Sequence, residues 1–238
     1  ATEGPLGFST IRAAKVLEKP TTSTFHTNFH SYSEHYNAKF ATRIVLAFLR
    51  WIHNQTRCTM APTRQLADEL AAEGFKNMDV FGRGVNLKVF NPLARDERLR
   101  ATWGASPEAP VFIHVSRLAA EKNYELLRSA YSMIRDKRPD ARFVIVGGGP
   151  MERKLKRDFP YASFPGAIPL ENRAELARLY ASADAFLYPS KTETYGNVAT
   201  EAMASGNALV GFNYAAPAQH VVHGKTGMLA PLDDDQRF

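Results

Sequence analysis

Two acidic and two basic side chains of this sequence have types and spacings that could bind a ligand. Glu193 and Glu201 are eight positions apart, and Arg117 and Lys122 lie together further upstream. Cations neutralise the charge of a diphosphate, whereas carboxylates accept hydrogen bonds from sugar hydroxyls. The four side chains together predict a nucleotide-sugar site.

The two glutamates are predicted to lie on a strand, loop and helix. The apolar run 184–188 is closed by Pro189, which predicts a buried strand that stops there. Apolar residues then recur at helical spacing from Asn197, which is the expected N-cap of a helix. Glu193 is thus expected in the loop beyond the strand, and Glu201 just over one turn into the helix.

The start of this helix is expected to bind an anion. The first N–H groups of a helix have no partner within it, and the helix dipole favours negative charge there. The amides of Gly196, Asn197 and Val198 would therefore face a phosphate. Beside that phosphate, one glutamate would accept hydrogen bonds from a sugar ring and the other from a ribose diol.

The two basic residues follow another predicted strand. Residues 111–115 are an apolar run, and a helical pattern occupies 124–134, so Arg117 and Lys122 lie in a strand-to-helix loop. Loops beyond the carboxyl ends of neighbouring parallel strands converge on one crevice, so this loop and the glutamate loop are expected to face one ligand. The alternative is that both cations are ordinary surface charges, with Glu121 between them.

Strands and helices alternate from residue 20 onward, which predicts two α/β domains. The predicted strands are 21–26, 58–61, 78–82, 111–116, 141–146, 162–164, 184–188, 208–212 and 226–229. Helices are predicted at 31–57 and 64–73. The proline-containing segment 84–110, with a short helix at 96–103, is the expected crossing between the domains.

The ordered motifs of this chain resemble those of the retaining glycosyltransferases of family 4. The matching segments extend along nearly the whole sequence and are 23–29, 82–86, 116–123, 146–150, 189–193, 201–206 and 223–227. The resemblance implies an α/β protein of the GT-B fold, in which two Rossmann-like domains face a cleft. Residues 1–86 would be the carboxyl-terminal part of an incomplete acceptor-side domain. Residues 87–238 would be the donor-binding domain without its last helices.

The resemblance also assigns roles to the site residues. It implies that Arg117 and Lys122 bind the donor diphosphate, that Glu193 binds the transferred sugar and that Glu201 binds the nucleotide ribose. The amides of Tyr195 to Val198, which include those of Gly196 and Asn197, would bind the phosphate and the sugar.

His26 matches the family's acceptor-side histidine, which meets the sugar across the cleft. A zinc site formed by His26, His30 and His35 is not favoured, because no carboxylate accompanies the first two at a suitable spacing. The segment 147–150 resembles a dinucleotide fingerprint, but Glu152 stands where the third glycine belongs. We expect no metal and no cofactor, because the nucleotide sugar is a substrate.

The implied activity is transfer of a hexosyl group, with retention, from GDP-mannose or a UDP-hexose to a lipid or glycan acceptor. Three other interpretations stay open: a nucleotide-sugar epimerase of similar fold, a phosphorylase, and a non-catalytic nucleotide-binding domain. A glycosidase is not favoured, because two carboxylates on one loop and helix approach a bond from one side. Nucleic acid is not an expected partner.

Composition and charge pattern bear on where the protein works. Cys58 is the only cysteine, which excludes an intrachain disulfide and favours a reducing cytoplasm. The net charge is +6. No run approaches the roughly 18 apolar residues of a membrane span.

The predicted helix 31–57 carries a basic stripe and a separate apolar sector. The stripe consists of Lys39, Arg43, Arg50 and Arg57, and the apolar sector of Phe40, Ile44, Phe48 and Trp51. The stripe predicts docking on an anionic membrane surface, at the inner face of the membrane. The alternative is a surface helix whose aromatic side enters the core.

Overall fold

The computed structural model describes residues 4–25 and 39–238, and side chains from residue 43 onward in the second range. The chain forms two compact units. The first consists of Ala1–Arg83 and Thr192–Tyr195, and the second of Gly84–Lys191 and Gly196–Phe238.

The first unit contains a parallel sheet of three strands in the order β1, β2, β3. Its elements are α1 (Pro5–Val16), β1 (Thr22–Thr24), α2 (Lys39–His53), β2 (Cys58–Ala61), α3 (Arg64–Ala72) and β3 (Met78–Val80). Phe25, Leu49, Leu70 and Phe75 are buried together and form the centre of its core. The sequence did not predict α1, because only Gly7 and Ile11 of that helix are buried and its apolar periodicity is faint.

The second unit begins with the segment that joins the two units. Its helices are α4 (Glu97–Thr102), α5 (Tyr124–Lys137), α6 (Glu152–Asp158), α7 (Arg173–Ala181), α8 (Asn197–Ala204) and α9 (Ala215–His220). Its strands are β4 (Val111–Val115), β5 (Arg142–Val146), β6 (Ala162–Gly166), β7 (Ala185–Tyr188), β8 (Ala208–Phe212) and β9 (Gly227–Ala230). Short 3₁₀ turns occupy Pro92–Ala94 and Ala120–Lys122.

The six strands of the second unit form a parallel sheet in the order β6, β5, β4, β7, β8, β9. The chain therefore winds outward from β4 in one direction and then outward from β7 in the other. This is the strand order of a doubly wound dinucleotide-type fold, and its direction reverses between β4 and β7. Ligands of such sheets bind beyond the carboxyl ends of the strands at that reversal.

The central strands of this sheet are apolar on both faces because both faces are covered. Val111, Ile113 and Val115 of β4 are buried, as are Phe143 to Val146 of β5. His114 is the polar exception within β4 and is also fully buried.

The predicted helix 31–57 ends earlier than expected. Helix α2 stops at His53, and the Arg57 N–H donates to the Thr21 carbonyl oxygen at 2.8 Å, so the chain has already turned toward the sheet. Arg57 therefore lies off the predicted basic stripe. Residues 26–38, which include part of the predicted helix, lie outside the described residues.

Helix α2 does not bury its whole apolar sector. Ile44, Phe48 and Trp51 are about half exposed, at 57%, 49% and 52%. The expectation that the aromatic side enters the core is therefore wrong for these three residues. Within residues 4–25 and 39–238, no helix is both long and apolar enough to cross a bilayer.

Candidate functional site

The reversal point of the second unit's sheet is where the structure places the two loops predicted to carry the site. Strands β4 and β7 are hydrogen-bonded neighbours, and each ends at the same edge of the sheet. Asn123 has a left-handed backbone, and its side-chain amide donates to the Pro189 carbonyl oxygen at 3.3 Å. This hydrogen bond joins the loop after β4 directly to the loop after β7.

Arg117 is exposed and Lys122 half-buried in the loop after β4. The Arg117 guanidinium pairs with Glu121, and its side chain stays 64% exposed. Burial alone would raise the pKa of Glu121, but hydrogen bonds from its own N–H and from Arg117 lower that pKa below its usual value. The Glu121 side chain is only 15% exposed, so the Arg117 guanidinium is the solvent-accessible member of this pair.

Two glycines allow the loop after β5 to approach the Arg117 loop closely. Gly147 has φ +140°, and a Cβ there would lie 1.9 Å from the Ser116 carbonyl oxygen. A Cβ on Gly149 would lie 2.5 Å from the Leu118 carbonyl oxygen. The glycine segment that resembles part of a dinucleotide fingerprint thus has a packing reason to be glycine.

Glu201 is buried in α8 and pairs with a basic residue that the sequence did not single out. The Arg173 guanidinium, at the start of α7, donates to Glu201 Oε1 at 2.9 Å. Burial raises the pKa of Glu201 above its usual value, although Arg173 opposes that shift. Arg173 also lies over the Phe90 ring, 5.4 Å from its centroid.

The start of α8 differs from its prediction by one residue. Asn197 is the first helical residue, and Gly196 is the N-cap, with φ +92°. A Cβ on Gly196 would lie 2.2 Å from the Tyr188 hydroxyl, so the position requires glycine for space as well as for its backbone. Asn197 is exposed and Val198 half-buried.

Glu193, Tyr195 and His26 are the remaining predicted site residues. Glu193, half-buried, and Tyr195, buried, are in the loop between β7 and α8, in the stretch that belongs to the first unit. The Tyr195 hydroxyl donates to the Arg83 carbonyl oxygen at 3.1 Å, also within the first unit. His26 lies outside the described residues. Among the residues that are described, no three His, Cys, Asp or Glu side chains form a group that could hold a metal ion.

Sequence profiles of two families match this chain. The profile described as glycosyl transferases group 1 matches residues 109–238, and that of glycosyltransferase family 4 matches residues 1–89. The first match alone covers more than half of the 238 residues. The chain belongs to the group 1 glycosyl transferases.

Curated relatives of this group 1 glycosyl transferase include mannosyltransferases. A GDP-mannose-dependent alpha-mannosyltransferase of Mycolicibacterium smegmatis is 37% identical over 229 residues, which are 96% of this chain and 58% of that protein. A GDP-mannose-dependent alpha-(1-6)-phosphatidylinositol dimannoside mannosyltransferase of Mycobacterium tuberculosis is 33% identical over 64% of this chain and 39% of that protein. The chain spans about half the length of the curated relatives it matches.

Solved structures agree on the fold of this group 1 glycosyl transferase. The Anabaena protein HepE, crystallised with UDP, superposes with a TM-score of 0.77 at 19% sequence identity. The superposition covers 97% of this chain and 64% of HepE. The chain has the GT-B fold, as the motifs implied.

Three residues of this group 1 glycosyl transferase lie beside the predicted site but were not assigned to it from the sequence. They are His114, Tyr124 and Arg173. His114 and Tyr124 sit beneath the Arg117 loop, and Arg173 pairs with Glu201. A histidine inside an otherwise apolar strand was the available signal for the first. There was no such signal for Arg173, because its partner Glu201 is 28 residues away in sequence.

Proposed function

We propose that this chain binds a nucleotide-diphosphate sugar at the carboxyl edge of β4 and β7, and that the protein is a hexosyltransferase. The proposal is based on the hydrogen bond from Asn123 to Pro189, which joins the loop after β4 to the loop after β7 where the strand order reverses. One loop carries Arg117 and Lys122, and the other leads to the amino terminus of α8 and to Glu201. Cations, helix amides and a buried carboxylate are the groups that a diphosphate linked to a ribose requires.

The chemistry requires stabilisation of a leaving group. When the bond from the sugar to the diphosphate breaks, negative charge develops on the β-phosphate. Arg117 and Lys122 would neutralise this charge, each contact contributing about 1.5–3 kcal/mol. The first amides of α8 would donate to the same group. The protein's own groups carry the stabilisation in this scheme, and we expect no metal cofactor.

Two carboxylates orient the donor in this proposal. Glu201 would accept hydrogen bonds from the ribose diol, and Glu193 from the transferred sugar. His26 would meet that sugar from the acceptor-side domain. We expect the anomeric configuration to be retained.

The donor is proposed to be GDP-mannose or a UDP-hexose. The name of the M. smegmatis relative specifies GDP-mannose, and the HepE crystal holds UDP. We propose a lipid acceptor, because the M. tuberculosis relative is named for a phosphatidylinositol dimannoside. A glycan acceptor would be the alternative outcome of an acceptor screen.

A lipid acceptor places the enzyme at a membrane surface, and we propose that α2 binds there, on the cytoplasmic side. Arg43 is exposed on α2, as are Ile44, Phe48 and Trp51. Cations attract anionic headgroups, and exposed aromatic side chains enter the interface. Arg50 contributes less than the charge pattern suggested, because its guanidinium donates to the Glu73 carbonyl oxygen at 2.7 Å.

Calorimetric titration with GDP and UDP tests the binding part of this proposal. Replacing Arg117 with alanine should weaken nucleoside diphosphate binding by about 1–3 kcal/mol, because a charge-assisted contact is lost. Arg128→Ala is the matched control, since it removes an exposed cation from α5 and should leave affinity unchanged. Equal affinity of the wild type and Arg117→Ala would contradict the assignment.

Product analysis then separates the classes of function. A hexosyltransferase moves a labelled hexose from the nucleotide to an added acceptor, whereas an epimerase changes the sugar while it stays on the nucleotide. A phosphorylase would release the hexose as a phosphate ester when inorganic phosphate is supplied. Binding without any of these products would favour a non-catalytic nucleotide-binding domain.

A further inference from the structure

A line of buried hydrogen bonds runs beneath the Arg117 loop. His114 Nδ1 lies 2.8 Å from the Leu187 carbonyl oxygen, and its Nε2 lies 2.9 Å from Ser116 Oγ. Ser116 Oγ is 2.8 Å from the Tyr124 hydroxyl, which lies 3.3 Å from the Arg117 carbonyl oxygen. The line therefore joins the backbone of β7 to the backbone of the residue proposed to bind diphosphate.

The carbonyl oxygens at the two ends of the line restrict the directions of its hydrogen bonds. A carbonyl oxygen only accepts, so His114 Nδ1 must carry the proton toward Leu187. Burial lowers the pKa of His114 to about 4, so the neutral ring accepts at Nε2 from the Ser116 hydroxyl. Burial raises the pKa of Tyr124 to about 12, so its hydroxyl keeps its proton and donates to Ser116 or Arg117. The Ser116 hydroxyl also lies 3.1 Å from the Arg117 carbonyl oxygen, so either hydroxyl can donate to the backbone of Arg117.

These side chains act on a ligand only through the loop above them. His114 is fully buried and Tyr124 is 6% exposed. On its other side, the loop backbone is held by the chain after β5, where the Leu118 N–H donates to the Gly148 carbonyl oxygen at 2.9 Å. The loop that carries the exposed Arg117 is thus fixed from beneath and from one side.

We propose that His114, Ser116 and Tyr124 are positioning residues that fix the backbone of Arg117 and so aim its guanidinium at the donor diphosphate. This inference rests on the proposed function. A fixed backbone lowers the entropy cost of binding at an exposed, rotamer-rich arginine, because only the side chain has to be ordered. Removal of the line should therefore reduce affinity without removing any group that touches the ligand.

The test compares two tyrosine hydroxyls on α5. Tyr124→Phe removes one of the two hydroxyls that contact the Arg117 carbonyl oxygen, and Tyr131→Phe is the matched control. Tyr131 is also buried, but within the described residues its hydroxyl has no hydrogen-bond partner. We expect Tyr124→Phe to weaken binding of GDP or UDP about threefold to tenfold, and Tyr131→Phe to leave it within twofold.

A double-mutant cycle distinguishes positioning from a general structural effect. If Tyr124 acts through Arg117, the Tyr124→Phe substitution should have no further effect on affinity in the Arg117→Ala background. A loss caused by general loosening of the fold would persist in that background. The same titrations with His114→Asn provide a second variant, because the asparagine amide can donate to the Leu187 carbonyl from the position of Nδ1 but places no atom at the position of Nε2, which contacts Ser116.

The outcomes separate this inference from the proposed function. A loss with Tyr124→Phe that vanishes in Arg117→Ala supports it. Unchanged affinity in both Tyr124→Phe and His114→Asn, or an equal loss in both backgrounds, overturns the inference while wild-type binding leaves the proposed function standing. A wild-type chain that binds neither GDP nor UDP overturns both.

Discussion

At the scale of single residues, the Glu201 carboxylate is held between two opposing influences. Its burial favours the neutral acid, whereas the Arg173 guanidinium at 2.9 Å favours the carboxylate, and burial is the stronger. An ionised carboxylate offers more acceptor sites to a ribose diol than a protonated one does. Donor affinity should therefore depend on the protonation of this one group.

We expect affinity for a nucleotide sugar to fall as the pH is lowered through the raised pKa of Glu201. The loss should begin at a higher pH than an ordinary glutamate would give, because protonation of the folded, unliganded chain begins earlier. Glu201→Gln should bind the nucleotide sugar weakly, and its affinity should not show this fall at low pH. Titration with a nucleotide sugar is the suitable measurement, because the terminal phosphate of a nucleoside diphosphate has its own ionisation near a pH of about 6. A fall in affinity at low pH that survives in Glu201→Gln would contradict the role of this carboxylate.

Sequence patterns singled out some of the residues proposed for this site and missed others. Arg117 and Glu201 were found from their charge and their place beside predicted strands and helices. His114 was not assigned, because a buried histidine is defined by partners such as Leu187 that are distant in sequence. Arg173 was missed for the same reason. The roles assigned to all of these site residues stay predictions, including those of Glu193 and His26.

At the scale of secondary structure, strand boundaries followed closely from apolar runs and prolines. Strands β2 and β8 begin and end at the predicted residues. The short helices α7 and α9 were not predicted. Helix α9 has only six residues, and its N-cap makes no side-chain hydrogen bond. The local sequence therefore contains few signals that predict a helix there.

The loops after β4 and β5 approach so closely at Gly147 that adding one methyl group there should destabilise the fold. Gly147→Ala should destabilise the folded chain by at least about 1 kcal/mol, because φ is +140° and the new Cβ would meet the Ser116 carbonyl oxygen. Gly84→Ala is the control, since no atom lies within 4 Å of a Cβ there. Urea unfolding measures both. A Gly147→Ala variant as stable as Gly84→Ala would mean that the two loops do not approach in this way.

The exposed face of α2 makes the membrane proposal testable at one element. Arg43→Glu should weaken co-sedimentation with anionic vesicles, because each cation near such a surface contributes about 1 kcal/mol. Arg128→Glu, on an exposed position of α5, is the matched charge reversal and should bind like the wild type. With neutral vesicles, neither variant should co-sediment more than the wild type does. Equal binding of Arg43→Glu and the wild type to anionic vesicles would exclude this face of α2.

At the scale of the whole molecule, the proposed ligand site depends on the strand order of the second unit's parallel sheet. The order of its six strands was not predicted, although alternation of strands and helices predicted an α/β domain and the family resemblance implied a Rossmann-like one. Order depends on which strands pair, and pairing is decided by contacts between residues far apart in sequence. The structure shows that the strand order reverses between β4 and β7. The loop after β4, which carries Arg117 and Lys122, and the loop that leads from β7 to α8 both start at this reversal.

Hydrogen exchange with and without nucleotide tests most directly whether that reversal is the donor site. Saturating GDP or UDP should slow exchange of the backbone amides in residues 117–122 and 196–198, because these segments would contact the diphosphate. Strands β1 to β3 of the first unit serve as the internal reference and should change little. Protection confined to other parts of the chain, or no protection at saturating nucleotide, would contradict the assignment of the site.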